Sequence, residues 1–244
     1  MRSVLFDHIA IAVPRLADAE AILARELGGR SAYGMTRGAF SFWHWRYEGG
    51  GDIEVLEPAG ADGFLHRFLA QRGAGIHHVT FTVPSLAEAC ERARRHGYSI
   101  VGYDDSDPEW KEAFLHPRQA QGIVVQFAEP LADPSTSEPA DEGRGRVAGE
   151  SRSAITVLGL RLSAQSRERA QVQWGTILQG VCAGAADGAL VYRWPGSFMY
   201  IAVDIDPARE EGPHWIEYAS RRDVPLADAP HPVLGAVFKR RPAD

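Results

Sequence analysis

"DHIAIAVPRLADAEAILARELGG" (residues 7–29) lies without gaps over "HHVTFTVPSLAEACERARRHGYS" (residues 77–99). Each copy runs from an alternating apolar stretch through a proline, Pro14 or Pro84, into an alanine- and charge-rich stretch. Alternation with a period of two marks a half-buried strand, and proline suits the entry to a helix, where a missing N–H costs nothing. In the second copy Leu86, Ala89, Ala93 and Tyr98 keep the spacing of one buried helical stripe. Each repeat therefore opens strand, then helix.

The residues after each helix also match in kind. "GAFSFWHWRYEGGGDIEVLEP" (38–58) reads as two strands around a glycine-rich hairpin, and "EAFLHPRQAQGIVVQFAEP" (112–130) reads the same way. With a short strand after each helix, around 30–36 and 98–103, the unit becomes βαβββ, and two units fill residues 1–130. A fainter copy, "GLRLSAQSRERAQVQWGTILQGV" (159–181), continues into strand-like "ALVYRW" (189–194) and "SFMYIAVDI" (197–205). A last piece, "GPHWIEYAS" (212–220), echoes "GIHHVTFTV" (75–83) but is too short for a full unit. The expected fold class is α+β: about three and a half tandem βαβββ modules forming cup-shaped mixed β-sheets. The stretch 131–153, rich in Pro, Ser, Glu and Gly and without apolar periodicity, is expected to be a linker between a domain at 1–130 and a second at 154–244.

Composition narrows the function. A chain that is 45% hydrophobic and 24% charged is an ordinary globular one, and a net charge of −6 argues against a nucleic-acid binder, which needs a basic surface. The two cysteines, Cys90 and Cys182, are too few for a disulfide framework and are expected to be reduced. The opening "MRSVLFDHIAIAV" lacks the apolar run of a signal peptide, and no window approaches a membrane span. A cytoplasmic protein with a small-molecule substrate is expected, its modules pairing either within one chain or across a homodimer.

Register says where chemistry would sit, because successive strand residues point to opposite faces. Ile9, Ile11 and Val13 form a bulky apolar face that must cover a helix, which leaves His8, Ala10 and Ala12 on the other. In the second copy Val79, Phe81 and Val83 take the helix side with His77, and His78, Thr80 and Thr82 the opposite side. His77 is expected to serve the strand start only. In the last strands Glu54 and Gln126 hold corresponding positions, at nearly the same interval from His8 and His78. Two imidazoles, a carboxylate and an amide oxygen make a suitable donor set for a first-row divalent metal, with positions left for a ligand. His44 and Arg46 share a parity opposite Trp43, Trp45 and Tyr47, so they are candidates for an acid/base and an anion anchor facing the cavity, whereas the three aromatics are read as core. His116 and His231 each precede a proline and are assigned to turns.

"DHIAIAVPRLADAE", "IEVLEP", "GIHHVTFTV" and "EAFLHPRQAQGIVVQ" together resemble the vicinal oxygen chelate, or glyoxalase/bleomycin-resistance/extradiol dioxygenase, superfamily, and within it the methylmalonyl-CoA epimerases most. The resemblance covers residues 5–130. It implies paired βαβββ modules around one divalent ion (Co, Ni, Mn, Zn, Fe or Mg), with His8, Glu54, His78 and Gln126 at the ligand positions. It also implies chelation of substrate oxygens and stabilisation of an enolate or other oxyanion, with Glu54 as a catalytic group that shifts between metal and proton. Strand parity, independently of the resemblance, adds His44 as the second catalytic candidate and Arg46, Thr80 and Thr82 as substrate-binding ones. The epimerases usually carry glutamate where this chain has Gln126, and a second glutamate where "GMTRGAF" (34–40) has none. An amide cannot take a proton from a carbon acid, which counts against two-base epimerisation of methylmalonyl-CoA.

The leading expectation is a metal-dependent isomerase, epimerase or lyase acting on a small oxygenated metabolite. The alternatives are an extradiol-type ring-cleaving dioxygenase and a non-enzymatic small-molecule binding or resistance protein. The second half places Gly159 and Trp215 at the metal positions and is expected to be a degenerate glyoxalase-like domain without a metal site.

Overall fold

The first strands of the two repeats, β1 (Leu5–Ala12) and β5 (Gly75–Thr82), pair antiparallel at the centre of an eight-stranded mixed sheet. The structure is a computed structural model that describes residues 3–131, 155–221, 223, 224 and 226–241, with the side chains of 185 and 186 left aside. All but the first residue of the expected linker 131–153 lies outside the described residues.

On one side of the seam β1 runs parallel to β4 (Asp52–Pro58), followed outward by β3 (Phe40–Arg46) and β2 (Arg30–Arg37). On the other side β5 runs parallel to β8 (Val124–Pro130), followed by β7 (Trp110–Leu115) and β6 (Ile100–Asp104). Parallel pairing requires a crossover, supplied first by α1 (Leu16–Glu20), which continues as a π-helical turn over Ala21–Glu26. An additional helix, α2 (Phe64–Arg72), joins the two modules and has no counterpart in the sequence expectation. The second crossover is α3 (Leu86–Arg95).

The prolines stand at the helix entries, each one residue before the cap, Arg15 or Ser85. The free amides at the helix starts are met from the sheet. Leu16 N donates to Glu57 at 2.7 Å and Leu86 N to Glu129 at 2.6 Å, placing a carboxylate at each positive helix end.

Two bulges break the alternation at the seam. Pairing skips Asp7 on β1, between Phe6 and His8, and skips His77 on β5, between Ile76 and His78. An unpaired extra residue need not follow the parity of its neighbours. His77 is accordingly not on the Val79 and Phe81 side as expected: its ring lies 4.8 Å from that of Phe68 and 5.5 Å from that of Phe64, both on α2.

The second sheet repeats the plan. It comprises β9 (Thr156–Ala164), β10 (Val181–Ala186), β11 (Ala189–Arg193), β12 (Tyr200–Ile205), β13 (Gly212–Ala219) and β14 (Phe238–Arg240), in the order β10-β11-β12-β9-β13-β14. The crossover helix α4 (Arg167–Ala170) again passes into a π-helical segment, Gln171–Ile177. The bulges recur as well, at Leu158 and His214. The third module is thus complete, and the fourth is reduced among the described residues to β13 and β14. The fold is a set of βαβββ modules curled into mixed sheets.

The helix-covered faces of both sheets share one core. Trp194 packs 4.7 Å from Phe81 and 5.9 Å from Phe6, while Trp174 lies 6.2 Å from Phe81 and donates to Gln121 at 3.0 Å. Trp43, partly buried, packs on this core, and Trp45 and Tyr47 are buried within it. On the opposite face of the first sheet Ala10, Ala12 and Leu56 meet Leu65 of α2, so small strand residues leave room there. No described helix is long and apolar enough to cross a membrane.

Candidate functional site

Strand register brings His8, Glu54 and His78 together, since Ala10 of β1 pairs with Glu54 on one side and with His78 on the other. His8 Nε2 and His78 Nε2 each lie 3.5 Å from Glu54 Oε2, and the three side chains are buried. Tetrahedral bonds of about 2.0–2.2 Å separate donor atoms by about 3.4 Å, so the spacing suits a first-row cation. Among the described residues this is the group of histidine, cysteine and carboxylate side chains that could hold a metal ion.

A second observation tests that fit. His78 Nε2 is buried and has no hydrogen-bond partner. Burial holds the His78 ring well below its usual pKa, and burial also depresses His77, to about 4 against the pull of Glu54. The two neutral rings meet Nδ1 to Nδ1 at 2.9 Å, so one donates to the other. With His78 as donor, its Nε2 is a bare lone pair directed at Glu54. Leaving such an atom unmatched costs about 1–3 kcal/mol, a cost that a coordinated cation removes.

His8 is held differently. Its Nδ1 lies 2.7 Å from Asp7 Oδ2 and its Nε2 2.8 Å from Thr80 Oγ1. Burial opposes its charge, but the Glu54 carboxylate and the Asp7 hydrogen bond outweigh burial and lift its pKa to about 10. An imidazolium thus stands between two carboxylates, and a metal would take the place of its Nε2 proton. Burial likewise works against the Glu54 carboxylate, yet the charge of His8 and the hydrogen bond from His44 keep it well below the ordinary range.

Thr80, fully buried, donates to Gln126 Oε1 at 2.6 Å. The Gln126 amide nitrogen donates to Glu112 at 2.8 Å, a carboxylate that also accepts from Trp110 at 3.1 Å. Glu112 therefore decides which way the amide faces, with its carbonyl oxygen toward Thr80. Thr80 links His8 and Gln126 instead of lining open space, because register sets it opposite both. Thr82 is buried two residues farther along the same strand.

His44 faces Glu54 across the β3–β4 pair. Its Nε2 is 3.3 Å from Glu54 Oε1 and its Nδ1 is 2.9 Å from Asp52 Oδ1, with Tyr33 stacked on the ring at 4.5 Å. Burial works against its protonation, but the hydrogen bonds of Asp52 and Glu54 raise its pKa. Arg46 reaches Asp52 Oδ2 at 3.4 Å from the rim, its side chain 43% exposed. Asp7, His77, Glu112 and Asp52 join the site without standing among its sequence candidates. Signals for two of them were present: Asp7 aligns with His77 in the repeat, and Asp52 shares the parity of Glu54. His116 and His231 cap turns, accepting from Arg118 N and Val233 N, each at 3.2 Å.

In the second sheet Gly159 takes the place of His8, and a Cβ there would lie 2.0 Å from the Tyr200 carbonyl oxygen. By register Trp215 replaces His78, Ala202 replaces Glu54 and Lys239 replaces Gln126.

The family model of the glyoxalase/bleomycin resistance protein/dioxygenase superfamily matches residues 7–114. An uncharacterised protein of Bacillus subtilis, YqjC, is 30% identical over 133 residues, 52% of this chain and 93% of that protein. The chain belongs to the glyoxalase/bleomycin resistance protein/dioxygenase superfamily. A second relative, an ethylmalonyl-CoA/methylmalonyl-CoA epimerase of Cereibacter sphaeroides, is 28% identical over 134 residues, 50% of this chain and 94% of that enzyme. Both likenesses span about half of the chain. A structure of a hypothetical protein from Staphylococcus aureus covers 98% of this chain and 100% of its own, with a TM-score of 0.65 at 11% identity, so the likeness across both sheets is one of fold.

Proposed function

We propose that the chain is a metal-dependent isomerase, epimerase or lyase that removes a proton next to a carbonyl in a small oxygenated metabolite. The observation that carries this reading is the buried, unpartnered His78 Nε2 facing Glu54 and His8, with His44 and Asp52 behind the same carboxylate. Residues 1–130 form the metal-binding domain in this reading, and residues 154–244 a second domain without that site. His8, Glu54, His78 and Gln126 are the metal-holding residues. A bound divalent ion would supply a Lewis acid for substrate oxygens and for the negative charge that develops on them, a contribution of several kcal/mol.

The chain's own groups supply the proton chemistry. Glu54 accepts the proton from carbon, its Oε2 facing the histidines and its Oε1 held by His44. His44 is a positioning residue: pinned between Asp52 and Glu54, it keeps the carboxylate aimed. Return of that proton to a neighbouring atom gives isomerisation, and its return to the opposite face of the same carbon, once the enolate has turned over beneath Glu54, gives epimerisation. Arg46 at the rim attracts an anionic group of the substrate, with Thr82 on the wall. The likeness to the Cereibacter epimerase supports the reaction class. Gln126, an amide that cannot serve as a second base, directs the reading away from methylmalonyl-CoA itself.

The donor set of two imidazoles and one carboxylate also suits Fe(II) with open positions, which supports ring-cleaving dioxygenation as the second reading. One set of measurements separates them. Metal analysis of the purified chain is expected to find one divalent ion, lost in the His8→Ala, His78→Ala variant. Metal-dependent solvent deuterium exchange into a panel of 2-oxo acids and acyl thioesters is expected to disappear in Glu54→Gln. Absence of both metal uptake and exchange would overturn the proposal, whereas oxygen uptake with catechols would favour the second reading.

A further inference from the structure

The second cup has lost the ligand positions of the first and gained charge in their place. Its floor is Glu217 on β13, 1% exposed and already satisfied. Tyr200 donates its hydroxyl to Glu217, Trp215 Nε1 donates to it at 3.3 Å, and Arg161 Nη1 and Arg241 Nε lie 3.7 and 3.8 Å away. The other two carboxylates nearby are also taken. Asp204 receives two hydrogen bonds from Arg161, at 2.7 and 2.8 Å, and Asp187 is bound by Arg241 at 2.6 Å.

Two cations are left over. Arg193 lies over the Tyr200 ring at 4.6 Å and Lys239 over Trp215 at 3.9 Å, and neither has an acidic partner among the described residues. Arg161, Arg193 and Arg241 thus share with Glu217 the lining of a cavity of about 40 Å³, three guanidinium groups to one carboxylate, while Lys239, Asp187 and Asp204 stand outside that lining. The cavity is lined by Arg161, Arg193, Arg241, Tyr200 and Glu217, with Val191 and Ala202 as its apolar wall. A single water needs about 10–15 Å³ of such space, so this one admits the head of a ligand and not a whole cofactor.

We infer that the second cup is an anion site that takes the carboxylate or phosphate group of a small metabolite. The guanidinium of Arg193 supplies the charge that no resident acid neutralises, and Arg241, already held by Asp187 and Glu217, lines the same cavity as a second cation. Guanidinium groups match planar oxyanions through paired hydrogen bonds, which suits both ligand chemistries. The site lies on the sheet that has no histidine–glutamate cluster, so it stands or falls independently of the reaction proposed for the first cup.

The test is calorimetric titration of the full chain with inorganic phosphate and, separately, with succinate, ionic strength being held constant with sodium chloride. Saturable binding of at least one probe is expected, and the probe that binds identifies the source. Arg193→Gln is expected to weaken it about tenfold or more, the loss of one charge-assisted contact, and Arg241→Gln likewise. Glu54→Gln, in the other cup, is expected to bind as the parent does. Arg193 is exposed, so its replacement leaves a folded chain even if Arg241→Gln does not. Failure of both probes to saturate at tens of millimolar would overturn the inference, as would unchanged affinity in Arg193→Gln or loss of binding only in Glu54→Gln.

Discussion

His77 and His78 are chain neighbours, yet their Nδ1 atoms meet at 2.9 Å. Regular alternation would send the two rings to opposite faces; the bulge at His77 brings them together. Asp7 and His8 repeat the relationship on β1 at 2.7 Å, again at a bulge. Each candidate ligand histidine is thereby oriented by the residue before it, leaving Nε2 for the centre.

His77→Phe therefore separates orientation from packing. Phenylalanine keeps the contact with Phe64 and Phe68 but gives His78 Nδ1 no partner. The thermal midpoint is expected to change little, while affinity for Mn(II) or Co(II), measured by chelator competition, falls by about 10–100-fold, the range for a lost outer partner. Unchanged affinity would show that His78 needs no orienting group.

Metal affinity should rise with pH. In the metal-free chain His8 holds its proton up to about 10, so at neutral pH a cation must displace that proton. Affinity is expected to increase by about tenfold per pH unit from neutrality toward that value, because one proton competes with the ion. Calorimetry in buffers of different ionisation enthalpy should count about one proton released. A pH-independent affinity would contradict the imidazolium assignment.

His44→Asn probes the carboxylate behind the centre. Both nitrogens of His44 are engaged by Asp52 and Glu54, so the exchange rate should fall by about 10²–10⁴-fold, within the span of acid–base contributions, with little change in KM. The pH profile is expected to shift as well, since Glu54 loses the hydrogen bond that lowers its pKa. A structural role alone would leave that profile in place.

The shared core should be sensitive at Trp174. Trp174→Ala removes a fully buried ring from between the sheets, together with the donor to Gln121. A loss of about 3–5 kcal/mol is expected from chemical denaturation, in one transition involving both sheets. Two separated transitions, the first sheet unaffected, would show that the halves fold apart.

Period-two alternation in "DHIAIAV" and "HHVTFTV" determined, from sequence alone, which face each strand turns inward, and the gapless repeat determined the βαβββ unit. Together they put His8, Glu54, His78 and His44 on one side. What tertiary structure decided was the set of partners: Asp7 and His77 displaced by bulges, Glu112 turning the Gln126 amide, α2 packed along the first cup, and three guanidinium groups gathered about Glu217 in the second. Facing is a local property, carried by every second residue along a strand. Partnership depends on pairing between distant strands, and there a single skipped residue changes which atoms meet.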